Sequence, residues 1–334
     1  MLHLISASLD AVVSTLQTWA YVHVVQPLLF KLGWMDYDED SYDALYPVIV
    51  GLLTIAGTYA LLRPLEALFP AERWTDRKAV RVDVLYTWIT KLGLFNLFFF
   101  VAFQPLFDGF QAWLRYRGIV NFNLDHLSPG ISSKPLAAFA IYLVTLDFAG
   151  YWYHRWQHRF GWWWELHAVH HSQRQLSLWS DDRNHLLDDV LQASFFAAIA
   201  LAIGVPPTQF VVLSAVTNFL QSIQHANIRL GYGRVLERLV VSPAFHRRHH
   251  AIGYGHEGTS YGCNFGVLFP WWDMLFRTAS WNRTLEPTGI RQQLEGESYG
   301  EGLVSQHWLA FVRIVRRVVA RRAQDPSRGD AAVL

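Results

Sequence analysis

The sequence contains a single cysteine, Cys263, among 334 residues. One cysteine excludes an internal disulfide and any zinc or iron–sulfur site built from several cysteines. Charged residues are also scarce, at 16% against about 25% in typical soluble domains, while hydrophobic residues reach 52%. The net charge is only +1, which provides no strong field to attract nucleic acid. The composition therefore argues against an ordinary soluble domain and against a nucleic-acid partner.

Long apolar stretches predict several membrane helices, because a span needs about 20 mostly apolar residues. The predicted spans cover residues 48–68, 84–103 and 136–153, followed by a membrane hairpin over 187–224. Pro206 and Pro207 mark the turn of that hairpin. The stretch 9–30 remains open between a span and a helix that lies in the interface. The sequence thus predicts an all-α integral membrane protein with about four transmembrane helices in two hairpins.

Basic residues between the spans predict which ends face the cytoplasm. The loop between the first two spans carries Arg73, Arg77, Lys78 and Arg81. An acidic stretch at 36–43 precedes the first span, on the opposite side. Alternation of sides then brings the third span out at about Tyr153, before another arginine-rich segment. We therefore expect a helical cap on the cytoplasmic face of a membrane, with a bacterial inner membrane as the expected location.

These features divide the chain into three regions. Residues 1–135 form an N-terminal membrane region, 136–280 a histidine-rich domain that includes the hairpin, and 281–334 a C-terminal helix and tail. Apolar and basic residues recur at helical spacing between Trp308 and Arg322, as in a helix that rests on anionic lipid. A solvated helix packed on its own domain fits the same pattern, so both interpretations stay open.

Histidines are concentrated in one part of the sequence, where ten of the fifteen fall between positions 154 and 250. Their spacing is H-x-x-x-H once and H-x-x-H-H twice. The histidines in these three clusters are His154, His158, His167, His170, His171, His246, His249 and His250. Residues three and four apart share a helix face, with Cβ atoms about 5–6 Å apart, so their imidazoles can converge on one metal ion. Adjacent His170 and His171 diverge, so each could serve one of two ions.

So many imidazoles exceed what one metal ion coordinates, which predicts a dinuclear site. All-nitrogen ligation suits iron, zinc, copper or nickel. A structural zinc site closes at about four ligands and would leave several histidines unexplained. Soluble di-iron bundles use glutamate ligands, whereas these clusters supply imidazole almost exclusively. The spacing therefore indicates a histidine-ligated pair of ions.

Three stretches around these histidines resemble a known family. DFAGYWYHRWQH at 147–158, HAVHH at 167–171 and SPAFHRRHH at 242–250 resemble the three histidine boxes of the fatty acid hydroxylase/sterol desaturase superfamily. NFG at 264–266 and WDMLF at 272–276 are similar to its closing signature. The likeness extends over about 140–278, and Arg277 stands where that family often has Gly.

The resemblance implies a di-iron, oxygen-dependent membrane enzyme whose two iron ions lie in a cytosolic cap over about four spans. It also implies that His185 and His225, between the second and third boxes, complete the ligand set. Oxygen activated at iron supplies the strong oxidant that an unactivated C–H bond requires, whereas zinc has no redox chemistry. We therefore expect hydroxylation of a membrane lipid: an acyl chain, an aminolipid such as ornithine lipid, or a sterol-like molecule.

Desaturation by the same site is the main alternative, because nothing in the sequence fixes which product forms. A haem-binding membrane electron carrier, a metal transporter and a zinc-stabilised scaffold are further alternatives. The sequence has no Gly-rich nucleotide fingerprint after a strand. Electrons are therefore expected from a separate ferredoxin- or cytochrome-type protein.

Asp147 is costly inside a membrane helix and is expected to face the protein interior. Asp147, Tyr151, His154 and His158 follow one another at spacings of four, three and four, along one helix face. We expect Asp147 to accept a hydrogen bond from a ligand imidazole or a nearby tyrosine such as Tyr151. A buried polar contact between helices is the alternative. Other carboxylates could similarly support a ligand, namely Glu165, Asp181, Asp182, Asp188, Asp189 and Asp273. Asp188 and Asp189 could equally serve only the N-terminus of the following helix.

Overall fold

The protein is helical throughout the part of the chain that the structure describes. That structure is a computed structural model covering residues 2–93, 129–131, 133–253 and 262–323, with a few isolated positions between 109 and 124. Within these ranges there is no strand, and only two isolated bridges occur, Pro70 with Ile228 and Ala251 with Thr288. The predicted all-α class is confirmed for these residues.

The helices fall into three consecutive sets. The first contains α1 (Leu2–Ala20), a π-helical turn (Tyr21–Val25), α2 (Gln26–Leu32), α3 (Asp38–Leu68) and α4 (Arg77–Lys91). The second contains α5 (Pro135–Arg159), α6 (Gly161–His171), α7 (Leu186–Ala202) and α8 (Pro207–His225). The third contains α9 (Gly233–Leu236), α10 (Pro243–His249), α11 (Trp271–Leu275), α12 (Arg291–Leu294) and α13 (Leu303–Ala323).

Two helical stretches are long and apolar enough to cross a membrane, namely Met35–Leu68, which includes α3, and α5. They contain the predicted spans at 48–68 and 136–153. The predicted span at 84–103 begins inside α4, and its residues 94–103 lie outside the described part of the chain. The hairpin is present as α7 and α8, joined by a turn in which Gly204 has φ 70°. Four spans and a cytosolic cap remain predictions.

The C-terminal end of α3 is bonded to two segments that lead to the histidines. Glu66 is buried, and its Oε1 accepts hydrogen bonds from the backbone N–H groups of Leu178 (2.8 Å) and Asn227 (2.9 Å). The Asn227 side chain donates to the Glu72 carbonyl at 2.8 Å. These two N–H groups replace the water that Oε1 loses on burial. These bonds fix the chain immediately after His225, the last residue of α8.

Helix α4 is bonded to the segment that follows α6. Asp83 is fully buried and accepts hydrogen bonds from Arg183 (2.8 Å), Ser180 (2.9 Å) and Gln173. Arg183 also donates through Nε to the Val169 carbonyl at 2.9 Å. A buried ion pair holds its position when hydrogen bonds satisfy its remaining atoms, as they do here. The C-terminal half of α6 is therefore fixed against α4.

The C-terminal helix α13 packs along α6. Arg313 and Arg317 donate to the two carboxylate oxygens of Glu165 at 3.1 and 2.7 Å. The opposite face of α13 exposes a row of apolar side chains, Val304, Trp308, Phe311, Val315 and Val319. The helix is therefore amphipathic, as its sequence predicts. Contact of this exposed face with lipid stays a prediction.

Candidate metal centre

Helices from distant parts of the sequence bring the histidines together. The first box lies at the C-terminal end of α5, the second in α6, and the third in and just after α10. Phe160 is extended (φ −95°, ψ 114°), which ends α5 and lets α6 start in a new direction. Ser242 caps α10, because its Oγ accepts from the Phe245 N–H at 3.1 Å while Pro243 opens the helix.

Nine of the ten predicted ligands converge in two separate groups. The first histidine group contains His154, His158, His167, His171 and His249. The second histidine group contains His170, His225, His246 and His250. Within each group one ring nitrogen of every member lies within 4.8 Å of the others. Adjacent His170 and His171 join different groups, with ring planes 82° apart, as do His249 and His250 at 89°. Each group has the composition of a site for one metal ion.

The second group passes a direct test of whether a cation fits. His225 Nδ1 lies 2.8 Å from the Gln221 carbonyl and His170 Nδ1 lies 3.2 Å from the Arg183 carbonyl, so both Nδ1 atoms must donate. A neutral imidazole then carries a lone pair on Nε2. These two Nε2 atoms lie 3.1 Å apart. Two lone pairs at that distance repel unless a cation lies between them.

The remaining nitrogens of the second group agree with that interpretation. His246 Nε2 lies 2.9 Å from His225 Nε2 and 3.2 Å from His250 Nε2. Nitrogens that bind one ion at about 2.0–2.1 Å are about 2.8–3.0 Å apart along an octahedral edge and about 3.3–3.4 Å apart along a tetrahedral edge. The observed distances therefore match the edges of a coordination polyhedron.

The first group is also oriented by backbone carbonyls. His154 Nδ1 donates to the Phe265 carbonyl at 3.0 Å and His249 Nδ1 to the Cys263 carbonyl at 2.7 Å. Among the described residues, Nε2 of His171 and Nε2 of His249 are buried without a hydrogen-bond partner. Buried polar atoms are rarely left unsatisfied, and metal ligands hold their other ring nitrogen in this way. The donor set therefore fits a second ion.

Burial keeps these imidazoles in the neutral form that a metal ligand requires. Removal from water lowers the pKa of His170, His171, His246 and His250 well below the usual value, and the neighbouring imidazoles lower it further. For His249 burial lowers the pKa to about 3. The ligand nitrogens are therefore free to bind cations at neutral pH.

The closing signature positions the two carbonyls that orient the first group. Asp273 is fully buried and accepts from the N–H groups of Phe265 (2.8 Å) and Gly266 (2.7 Å). A Cβ on Gly266 would lie 2.7 Å from the Phe269 carbonyl oxygen and 2.8 Å from Asp273 Oδ2, so only glycine fits there. Asn264 adopts a left-handed conformation (φ 57°) and bonds to the Ser280 backbone. The NFG and WDMLF motifs thus form one structural unit.

Asp147 and Tyr151 bond to this unit rather than to an imidazole. Asp147 accepts from the N–H groups of Leu268 (2.7 Å) and Phe269 (3.2 Å) and from Trp272 Nε1 (2.8 Å). Tyr151 Oη lies 3.0 Å from Thr278 Oγ1. The expected bond between Asp147 and a ligand or Tyr151 is not among these contacts, whereas the alternative of a buried polar contact between elements describes them. Both side chains connect α5 to the loop that orients His154 and His249.

Two other carboxylates lie nearest to the ligand rings. Asp188 accepts from Tyr153 Oη (2.9 Å), Gln157 (2.7 Å) and Trp163 (2.8 Å), and its Oδ2 lies 3.6 Å from His167 Nδ1. Asp181 Oδ1 lies 3.5 Å from His225 Nδ1. Of the two interpretations of Asp188, support of a ligand agrees with this contact. The sequence offers Asp181 as a candidate too, but its proximity to His225 arises only when the hairpin returns.

His185 lies outside both groups. Its Nδ1 accepts from the Leu187 N–H at 3.1 Å, which caps α7, and its Nε2 lies 3.3 Å from the His307 carbonyl. Its ring also packs against the His307 ring at 4.5 Å. Both nitrogens are engaged with the backbone, so this geometry does not support the predicted role of His185 as a ligand. The resemblance implies that His185 is a ligand, whereas the structure places its ring at the junction of α7 and α13.

Comparisons with known proteins agree with this geometry. Residues 139–278 match the family model described as fatty acid hydroxylase. The chain is 30% identical over 233 residues to ornithine lipid hydroxylase OlsE of Rhizobium tropici, covering 66% of this chain and 64% of that protein. It is 30% identical to the alkylglycerol monooxygenase of Caenorhabditis elegans over 145 residues and 29% identical to the human one over 135 residues.

The chain spans less than two thirds of the length of these relatives, at 64%, 27% and 29% respectively. No solved structure matches it. The matched region nevertheless contains all three histidine boxes and the closing signature that orients them. Residues 139–278 are therefore similar to the fatty acid hydroxylase family over the part of the chain that carries the histidine groups.

Proposed function

We propose that this protein is an oxygen-dependent di-iron hydroxylase that oxidises a C–H bond of a membrane lipid. The observation that carries the proposal is the pair of buried histidine groups, in which lone pairs face one another at cation-binding distances. Two iron ions, when bound, would supply the redox chemistry that dioxygen activation requires. The proposed ligands are His154, His158, His167, His171 and His249 for one ion, and His170, His225, His246 and His250 for the other.

The protein's own residues would hold the ligands neutral and exclude water. Eight of the nine imidazoles are buried, and His154 is half-buried. The carbonyls of Phe265 and Cys263 orient two of them, while the aromatic rings of Trp164 and Phe265 lie 5.1 Å from the His158 ring. Such a dry, oriented site protects a reactive oxidant from side reactions with solvent.

The relatives support a lipid with a polar headgroup as the substrate. Ornithine lipid and alkylglycerol appear in the names of the relatives, and both molecules combine an apolar chain with a polar end. Two apolar helical stretches support residence in a membrane, and the first group begins at the C-terminal end of one of them, α5. We infer that the histidine groups face the cytoplasm of a bacterial cell from its inner membrane.

Electrons would come from a separate protein of the ferredoxin or cytochrome type, since the sequence contains no nucleotide-binding fingerprint. Desaturation of the lipid would use the same site. A haem-binding electron carrier would instead need two axial histidines on opposite faces of the haem. The convergence of five and four imidazoles on single points favours two separate ions over a haem.

Lipid mass spectrometry tests the proposal. Membranes from cells that express the protein would be compared with membranes from control cells under isotope-labelled dioxygen. We expect a lipid that gains one labelled oxygen atom. The variant His246→Ala removes a proposed ligand, and His23→Ala removes an exposed histidine that belongs to neither group, as a matched control. A product that lacks labelled oxygen and has lost two hydrogens would support desaturation, and no new lipid with wild-type protein would contradict both reactions.

A further inference from the structure

An exposed apolar patch follows directly after the membrane hairpin. Its members are Leu230, Val235, Leu236, Leu239 and Leu275, with 38–73% of each side chain exposed. The segment 230–239 lies beside α11, because the Arg238 guanidinium is 3.9 Å from Met274 Sδ. Contiguous exposed apolar side chains of this kind indicate a surface that contacts lipid or another apolar partner.

The contacts of the patch connect it to the ends of the helices that are apolar enough to cross a membrane. The Arg229 N–H donates to the Phe69 carbonyl at 2.8 Å, immediately after the end of α3, and Ile228 pairs with Pro70. On the other side α11 is held to α5 by the bond between Trp272 and Asp147. The patch therefore lies near the end of α3 and beside α5, where those helices would leave the hydrocarbon core.

A pocket of about 340 Å³ opens beside the apolar patch. It is lined by Arg234, Glu237, Arg238, Trp281 and Arg283. Glu237 is buried and fully engaged, because one oxygen pairs with Arg283 and the other accepts from Ser242 Oγ at 3.2 Å. The three arginines and one glutamate leave a formal charge of +2 in the pocket.

Arg234 and Arg238 are available to an anion. Neither forms an ion pair within the part of the chain that the structure describes, and Arg238 lies 5.0 Å above the Trp281 ring. Guanidinium groups recognise phosphate and carboxylate oxygens through paired hydrogen bonds, and stacking on an aromatic ring fixes their orientation. An oxyanion is therefore the ligand that this pocket suits.

The pocket adjoins the third histidine box. The Trp281 ring packs on Phe245 at 5.0 Å, and Phe245 immediately precedes the proposed ligand His246. Ser242, which pairs with Glu237 in the pocket wall, is the N-cap of α10. A molecule bound here would be anchored to the same helix that presents the metal ligands.

We propose that this pocket binds the anionic headgroup of a membrane lipid, a phosphate or a carboxylate, while the lipid's apolar part lies on the exposed patch. The proposal rests on the proposed function and deepens it, because it identifies how a lipid would be held beside the histidine groups. The charge and aromatic wall of the pocket select the headgroup, and the neighbouring leucines distinguish a lipid from a free anion.

Binding measurements on the purified full-length protein in a neutral detergent test the proposal. The probes are dioctanoyl phosphatidylglycerol, its zwitterionic counterpart dioctanoyl phosphatidylcholine, and inorganic phosphate. We expect phosphatidylglycerol to bind about tenfold or more tighter than the other two. The double variant Arg234→Gln/Arg238→Gln should weaken its binding about tenfold, whereas the exposed Arg77→Gln on α4 should leave it within about twofold. Both variants should keep the wild-type melting temperature and metal content.

Three results would overturn the proposal: unchanged phosphatidylglycerol affinity in the folded double variant, equal affinity for the two lipids, or inorganic phosphate bound as tightly as the lipid. If the double variant does not fold, the two single variants replace it in the same comparison. The measurement needs no turnover, so it is independent of the isotope experiment. A protein that hydroxylates a lipid yet shows no headgroup preference would refute the pocket alone, and headgroup binding without hydroxylation would refute the enzyme alone.

Discussion

The first and second histidine groups differ in which parts of the chain orient their imidazoles. In the first group His154 and His249 donate to carbonyls of the closing-signature loop, at Phe265 and Cys263. In the second group His225 donates to Gln221 within its own helix, and His170 donates to Arg183, which is anchored to α4. The first group therefore depends on a loop, and the second depends on the hairpin and on α4. Loss of a contact should thus affect one ion more than the other.

The largest expected effect comes from removing a ligand from the smaller group. His246→Ala leaves three imidazoles there, and we expect the metal content to fall from about two ions to about one per chain with loss of activity. His154→Ala leaves four in the first group and should retain more metal. Iron per chain by elemental analysis checks both, with His23→Ala as the control. Full metal occupancy in His246→Ala would contradict the division into two groups.

Acidification of the metal-free protein should produce the next largest effect. Burial lowers the pKa of His249 to about 3, whereas an unfolded histidine titrates near about 6.5. The unfolded chain therefore binds the proton first as the pH falls below about 6.5, and the folded state loses about 1.4 kcal/mol per histidine for each further pH unit until its own pKa is reached. Above about pH 6.5 these histidines are neutral in both states, so the free energy of unfolding keeps its full value. Denaturation midpoints between about pH 7.5 and 4 measure this, and a flat profile would refute it.

Asp188 and Asp181, the carboxylates near the ligand rings, allow the two histidine groups to be perturbed one at a time. Asp188→Asn should weaken metal binding to the first group about 10- to 100-fold, because Asp188 lies beside His167. Asp181→Asn should act on the second group instead, because Asp181 lies beside His225. Metal titration of each variant, compared with wild type, reports which ion is weakened. If both variants weakened the same ion, the assignment of the carboxylates to separate groups would be wrong.

Asp147→Asn should have a smaller effect, confined to the first group. The change keeps one acceptor oxygen but weakens the bonds to Leu268, Phe269 and Trp272 that secure the closing-signature loop. We expect about a two- to tenfold loss of metal affinity at the first group, below that of Asp188→Asn. Unchanged metal content and turnover would show that Asp147 serves only to join α5 to the loop.

The smallest predicted effect is a gain in stability, caused by the variant Arg277→Gly. Arg277 has φ 58°, a left-handed conformation that costs a side-chain-bearing residue about 1–2 kcal/mol. Arg277→Gly should remove that strain, while the greater conformational entropy of glycine in the unfolded chain offsets part of the gain. We expect the free energy of unfolding to rise by about 0.5–1 kcal/mol. Thermal melting measures the change, with Arg316→Gly in the exposed face of α13 as a destabilising control.

Nine of the ten histidines that the sequence predicts as ligands converge in the described part of the structure. Residues three and four apart in a helix share a face, so each box could be assigned to metal binding before its partners were known. The divergence of adjacent imidazoles also predicted two ions, and His170 with His171 and His249 with His250 divide between the groups in this way. These are local properties of helical geometry and need no tertiary information.

The contacts that could not be predicted from the sequence have a common cause, which is distance along the chain. Asp147 bonds to residues more than 120 positions later, so its partners could not be recognised from the first box. His185 contacts the backbone of His307, which lies on the C-terminal helix. The positions of Asp181 and Asp188 beside particular rings depend on how α7 and α8 return to the site.

The sequence by itself determined the helical class and the spacing of the candidate imidazole ligands, and it predicted a dinuclear site, because periodicity and residue chemistry act within a few residues. Only the tertiary structure decided which imidazole joins which group and which carbonyl orients it. It also brought Arg234, Arg238 and Trp281 into one pocket beside the third box. Those relations arise when separate helices pack. The contact between two helices cannot be inferred from the spacing of residues within either helix.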